Sequence, residues 1–138
     1  MVNTTSPAMD REYAGESTTL RAARRDVVDF LVECGANTQT VERASLIASE
    51  LASNAIQAAP GVPYHLQIHV VDPNAVSLSI RNNTRGGVLP AQDRWRPVDE
   101  LAIRGRGLSI VDSLSDEVAV KVDRDEVTVT AWFRLTSS

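Results

Sequence analysis

The chain has 138 residues, of which 43% are hydrophobic and 23% charged, and a formal net charge of −4. That is the size and composition of one ordinary globular domain, which excludes wholesale disorder and two independent cores. The acidic balance disfavours a protein that grips nucleic acid over a broad surface, since that task needs a basic stripe to displace counterions from phosphates. No apolar run approaches the ~20 residues that span a bilayer. The polar start is unlike a signal sequence, so a cytoplasmic protein with no membrane partner is expected. Cys34 is the single cysteine, with no partner for a disulfide or a thiolate cage, and reads as buried filler.

Residues 1–16 mix Ser, Thr, Asn, Pro and charge without periodicity, and contribute at most one edge strand. The expected organisation is a flexible leader over 1–13 and one domain over 14–138. Leu20, Ala23, Val27, Phe30 and Leu31 recur at helical steps until Gly35 ends the helix as a C′ residue. Asn37 or Thr38 caps a second helix, whose stripe Val41, Ala44, Ala48, Leu51, Ala55 and Ala58 runs to Pro60 and Gly61. Tyr64, Leu66, Ile68 and Val70 alternate with polar residues, as do Val76, Leu78 and Ile80 after the Asp72-Pro73-Asn74 turn, predicting a hairpin. Asn83 to Arg104 has no period and reads as a long loop, of the length usually reserved for function. Gly105 to Leu114 predicts a short helix, and two valine-rich runs, Val118 to Val122 and Val127 to Leu135, a closing hairpin. The expected fold class is α+β, a two-layer sandwich with helices on one face of a mixed, mostly antiparallel sheet.

Two patterns carry chemistry. Glu50 and Asn54 are four apart on the second helix and project from one face, pairing a general base with a hard oxygen donor. Such a pair is also common on a merely solvated helix face. Gly105-Arg106-Gly107-Leu108 opens a helix with glycines, where free N–H groups and the helix dipole favour a phosphate; glycines there also serve tight turns. His65 and His69 share a strand face without an acid or Cys set in metal-ligand spacing and read as solvent-facing. Trp95 in the loop and Trp132 in the last strand are candidate partner contacts, with packing the default for Trp132.

Together these segments resemble a known family. Ser49-Glu50-Leu51-Ala52-Ser53-Asn54-Ala55-Ile56 is similar to the N box of the Bergerat-fold (GHKL) ATPases and kinases. Gly105-Arg106-Gly107-Leu108-Ser109-Ile110-Val111 is similar to their second glycine box. Box order, the intervening hairpin and loop, and the terminal Thr130-Ala131-Trp132-Phe133 strand resemble the small stand-alone actinobacterial members, over roughly residues 14–135.

The resemblance implies a Bergerat fold that binds ATP and Mg²⁺. Asn54 would hold Mg²⁺ against the phosphates and Glu50 would act as base on the attacking hydroxyl. Gly105, Gly107 and Leu108 would cradle phosphate, Arg104 and Arg106 would add charge, and the loop from about Val88 to Arg104 would be the ATP lid. The first glycine box departs from the family pattern: Asn82-Asn83-Thr84-Arg85-Gly86 stands where Asp-x-Gly-x-Gly is usual. Asn82 keeps an acceptor for the adenine amino group but not an ionised one, Thr84 replaces a glycine, and Gly86 is retained. Thr130 stands for the threonine of the terminal box, without the glycine that normally precedes it.

Because no phosphoacceptor helices or sensor region precede the domain, the resemblance points to an anti-sigma factor rather than a complete histidine kinase. Such a protein binds a sigma factor and phosphorylates a serine or threonine of a STAS-domain anti-sigma antagonist. This reading involves no direct nucleic acid and is compatible with a homodimer. The alternative is a degenerate GHKL domain that serves as a non-catalytic, protein-binding module with weak or no ATP binding.

Overall fold

The computed structural model describes residues 8–72, 74–83, 111 and 114–135. Strand β1 is Ala8–Tyr13 and is followed by a 3₁₀ turn, Ser17–Thr19. Helices α1 (Leu20–Glu33) and α2 (Thr38–Ala58) come next, then strands β2 (Tyr64–Asp72), β3 (Ala75–Asn83), β4 (Glu117–Asp123) and β5 (Glu126–Arg134). The sheet order is β1-β2-β3-β5-β4, and every neighbouring pair is antiparallel. The mixed sheet expected from the sequence is therefore wholly antiparallel among the described residues. All hairpin neighbours are antiparallel by necessity, and β3 also meets β5 antiparallel.

The helix boundaries follow local chemistry. Gly35 has φ +90° and forms a Schellman end to α1: its N–H reaches the Val32 carbonyl and the Ala36 N–H reaches that of Leu31. Asn37 caps α2, its Oδ1 accepting from the Thr40 N–H at 2.9 Å. Buried positions Val41, Ala44, Ile47, Ala48, Leu51, Ala52 and Ala55 make the stripe of α2 that packs against β2, β3 and β5. Its many alanines let the helix axis approach the sheet closely, and the larger Leu66, Ile68, Leu78 and Ile80 fill the layer from the other side. Val111 is buried in the same core and Leu114 packs on it; both are helical, in keeping with the short helix expected there.

Part of the presumed leader is structured. Residues 8–13 pair with β2 from Ala8↔His69 to Tyr13↔Tyr64, and Met9 is buried. Tyr13 Oη donates to Asp26 Oδ2 at 2.6 Å, tying β1 to α1, while the Tyr13 and Tyr64 rings stack at 5.5 Å. Thr19 Oγ1 lies 2.8 Å from the Glu16 carbonyl and 2.9 Å from Tyr64 Oη. With its single proton given to the carbonyl, Thr19 accepts from the Tyr64 phenol. Gly15 completes the clasp, since a Cβ there would lie 2.2 Å from the Val62 carbonyl oxygen.

Candidate functional site

At one end of the helix–sheet interface, α2, β3 and β5 leave a small cleft lined by Leu51, Asn54, Ala55, Ile80, Asn82, Val127 and Val129. Its position follows from the alternation of β3: Val76, Leu78, Ile80 and Asn82 all face the helices, so the buried stripe ends in a carboxamide where an apolar residue would continue it. Asn82 is 6% exposed and sits in register between Tyr64 of β2 and Val127 of β5. Its Nδ2 donates to the Ala55 carbonyl at 3.5 Å. That bond sets the orientation of the amide, which leaves Oδ1 as the acceptor it presents.

Asn54 faces the same cleft from α2. At about 100° per residue it lies roughly 60° round the helix from Leu51, on the margin of the buried stripe. Its Nδ2 is buried and makes no hydrogen bond among the described residues. A buried amide without a partner costs free energy in the free protein and is relieved by a ligand that brings an acceptor. Rotated about its last torsion, the same group offers its oxygen to a cation. Glu50, one turn earlier and about 40° from Asn54, is partly exposed on the same flank. The structure thus brings Asn54 and Asn82 into one cleft, with Glu50 beside them on the helix.

The donor set suits a nucleotide more than a metal cage. Among the described residues there is no group of three His, Cys, Asp or Glu side chains that could hold a metal ion. A divalent ion at Asn54 would take most of its oxygen ligands from phosphates and water, as Mg²⁺ commonly does. The walls supplied by Leu51, Ile80, Val127 and Val129 are apolar, and Asn82 adds a polar group at the edge.

Thr130 lies elsewhere. It pairs with Ser79 and Ala119, on the sheet face turned away from the helices. The β5 residues that line the cleft are Val127 and Val129, both apolar, so Thr130 does not stand in it. The physical reason is the two-residue period of a strand, which puts positions 127 and 130 on opposite faces. Gly86, Arg104, Gly105, Arg106, Gly107 and Leu108, with the lid from Val88 and Trp95, lie outside the described residues. His65 and Trp132 share the outer face with Thr130; His65 Nε2 is 3.2 Å from Asp10 Oδ1, a partner the sequence reading missed. Burial, with the Glu33 charge second, pushes the partly exposed Cys34 thiol up, away from the reactive thiolate form.

Residues 13–133 match the family model of the histidine kinase-like ATPase domain. No curated protein is significantly similar to the chain. Among solved structures, that of the RsbU and RsbW domains of Rv1364c from Mycobacterium tuberculosis is similar over 93% of this chain, with a TM-score of 0.68 and 15% identity. The similarity covers 32% of that protein's chain, so the present chain spans about a third of its length, and at such identity the two share a fold. With a family match running from residue 13 to residue 133, over a helical layer packed on one antiparallel sheet, the chain belongs to the histidine kinase-like ATPase domain family.

Proposed function

We propose that the chain is a cytoplasmic anti-sigma factor that binds ATP with Mg²⁺ and phosphorylates a serine or threonine of a STAS-domain antagonist, releasing or capturing a sigma factor as the antagonist's state changes. The observation that carries this reading is the unpartnered Asn54 amide facing Asn82 across an apolar cleft, with Glu50 one turn away. Fold similarity to a structure that contains an RsbW domain supports the choice of this branch of the family. Asn82 accepts from the exocyclic amino group of adenine, and Asn54 meets the phosphate end. Mg²⁺ bound there would neutralise phosphate charge and orient the transferred group. Glu50 accepts the proton of the incoming hydroxyl. Gly105 and Gly107 would, as the resemblance implies, supply backbone donors to the phosphates, and the same resemblance assigns Arg104, Arg106, Leu108 and Gly86 to the nucleotide.

A second reading, a protein-binding module without catalysis, is favoured by one feature: the cleft offers adenine a neutral amide at Asn82 and a methyl surface at Val127. The two readings separate by titration of the purified chain with a fluorescent adenine nucleotide and Mg²⁺, followed by incubation of labelled ATP with a purified STAS-domain antagonist. Saturable binding and label on a serine or threonine are expected. Absence of both at millimolar nucleotide would establish the module.

A further inference from the structure

The choice among purine bases depends on which polar group meets the base at C6. Adenine presents an amino group there, a donor, whereas a 6-oxopurine such as guanine or hypoxanthine presents a keto oxygen, an acceptor. An ionised carboxylate at that point selects twice over, since it accepts from the amino group and repels the keto oxygen. The described lining of the cleft holds no ionisable side chain, and its polar side chains are the amides of Asn54 and Asn82. The repulsive half of the selection is therefore missing from that lining.

A carboxamide carries a donor and an acceptor of nearly the same shape, exchanged by a half-turn about its last torsion. The antiparallel ladder fixes Asn82 between Tyr64 and Val127, so both orientations address the same point in the cleft. In the free protein the bond from Nδ2 to the Ala55 carbonyl holds Oδ1 outward. At 3.5 Å that bond is well beyond the ~2.9–3.0 Å of a good N–H···O contact, so it biases the amide only weakly. The Ala55 carbonyl also accepts from the Ala59 N–H at 3.1 Å, and a half-turn of Asn82 leaves it satisfied. What the half-turn gives up is one long neutral hydrogen bond, which a keto oxygen accepting from the turned Nδ2 replaces. Asn82 is 6% exposed, so either contact forms away from competing water.

We propose that the base end of the cleft accepts 6-oxopurine nucleoside triphosphates as well as ATP, Asn82 turning its amide to match the group at C6. The inference rests on the proposed nucleotide site and adds the class of base that the site takes. Calorimetric titration of the unaltered chain in excess Mg²⁺ compares three ligands: ATP, inosine triphosphate with its 6-keto group, and purine riboside triphosphate with hydrogen at C6. ATP and inosine triphosphate should bind within about tenfold of each other, and the 6-hydrogen analogue about threefold or more below either, for want of one neutral hydrogen bond. Asn82→Asp, titrated at a pH of ~8 where a carboxylate is ionised, should weaken inosine triphosphate by about tenfold or more without weakening ATP. Circular dichroism checks that the variant is folded. Inosine triphosphate bound more than about tenfold less tightly than ATP would overturn the inference and leave the nucleotide site standing. So would a 6-hydrogen analogue that binds as tightly as ATP, or a folded variant whose preference is unchanged. Binding of none of the three would remove the nucleotide site itself, and the inference with it. Should the variant fail to fold, the three affinities of the unaltered chain decide.

Discussion

Replacing Asn82 by aspartate perturbs the cleft in two directions at once. In the free protein Asn82 is 6% exposed and its Nδ2 donates to the Ala55 carbonyl at 3.5 Å. Asn82→Asp removes the donor and sets a carboxylate against that carbonyl oxygen, among walls of Leu51, Ile80 and Val127. Leaving a buried acceptor unmatched costs ~1–3 kcal/mol. For a domain of this size each kcal/mol lowers the melting midpoint by roughly 3–5 °C. Adenine reverses the sign, because its amino group then donates to an ionised acceptor; the gain over a neutral acceptor is ~1 kcal/mol, or about fivefold in Kd. Calorimetric titration with ATP and Mg²⁺, paired with melts in the presence and absence of nucleotide, reads both effects. The expected result is a free protein that melts several degrees lower and binds ATP about fivefold more tightly. A lower melting point with unchanged or weaker ATP affinity would refute the placement of Asn82 against the base.

Glu50→Ala should abolish phosphate transfer to the antagonist while leaving the ATP Kd within about twofold, since a base acts in the reaction and holds little of the ground state. Retained transfer, read with labelled ATP, would remove Glu50 from the chemistry. Gly15→Ala drives a Cβ into the Val62 backbone, at 2.2 Å from its carbonyl oxygen, and should cost about 3 kcal/mol in denaturant unfolding as β1 and the segment before β2 separate; a neutral effect would show that the clasp yields freely. Burial first, and the hydrogen bond to Asp26 second, push the Tyr13 phenol above its ordinary range in the folded state. The unfolded phenol ionises near pH ~10, so the stability contributed by the protonated form is intact below that pH and is lost as pH rises beyond it. Tyr13→Phe should therefore cost ~1–2 kcal/mol at neutral pH and flatten the alkaline decline in melting temperature; parallel declines in the two proteins would assign the alkaline loss elsewhere.

How much of this was legible in the sequence depended on whether a signal was local and repeated. The α2 stripe repeats over many positions and carries its own cap and stop, so Asn37, Leu51 and Ala55 stand where the pattern puts them. β1 has too few residues for alternation to stand out, and its identity rests on Met9 and Tyr13 finding Ile68 and Tyr64 across the sheet, which only tertiary structure shows. The clasp of Tyr13 with Asp26 and of Thr19 with Tyr64 joins residues with no sequence relation at all. Thr130 is the instructive case, because its true face could be read in advance. Val127, Val129, Ala131 and Phe133 form the apolar set of β5, so an even-numbered neighbour had to point outward. A box matched by residue type alone put the threonine in the cleft; a box matched with strand parity puts Val127 there. The cleft therefore carries a methyl surface at Val127 beside the Asn82 amide, at the end that the proposed function gives to the base. On the proposed reading, Glu50 and Asn54 stand where the resemblance puts the phosphate-end pair. Nδ2 of Asn54 is buried there without a partner among the described residues, and a ligand that brought an acceptor would relieve its desolvation cost.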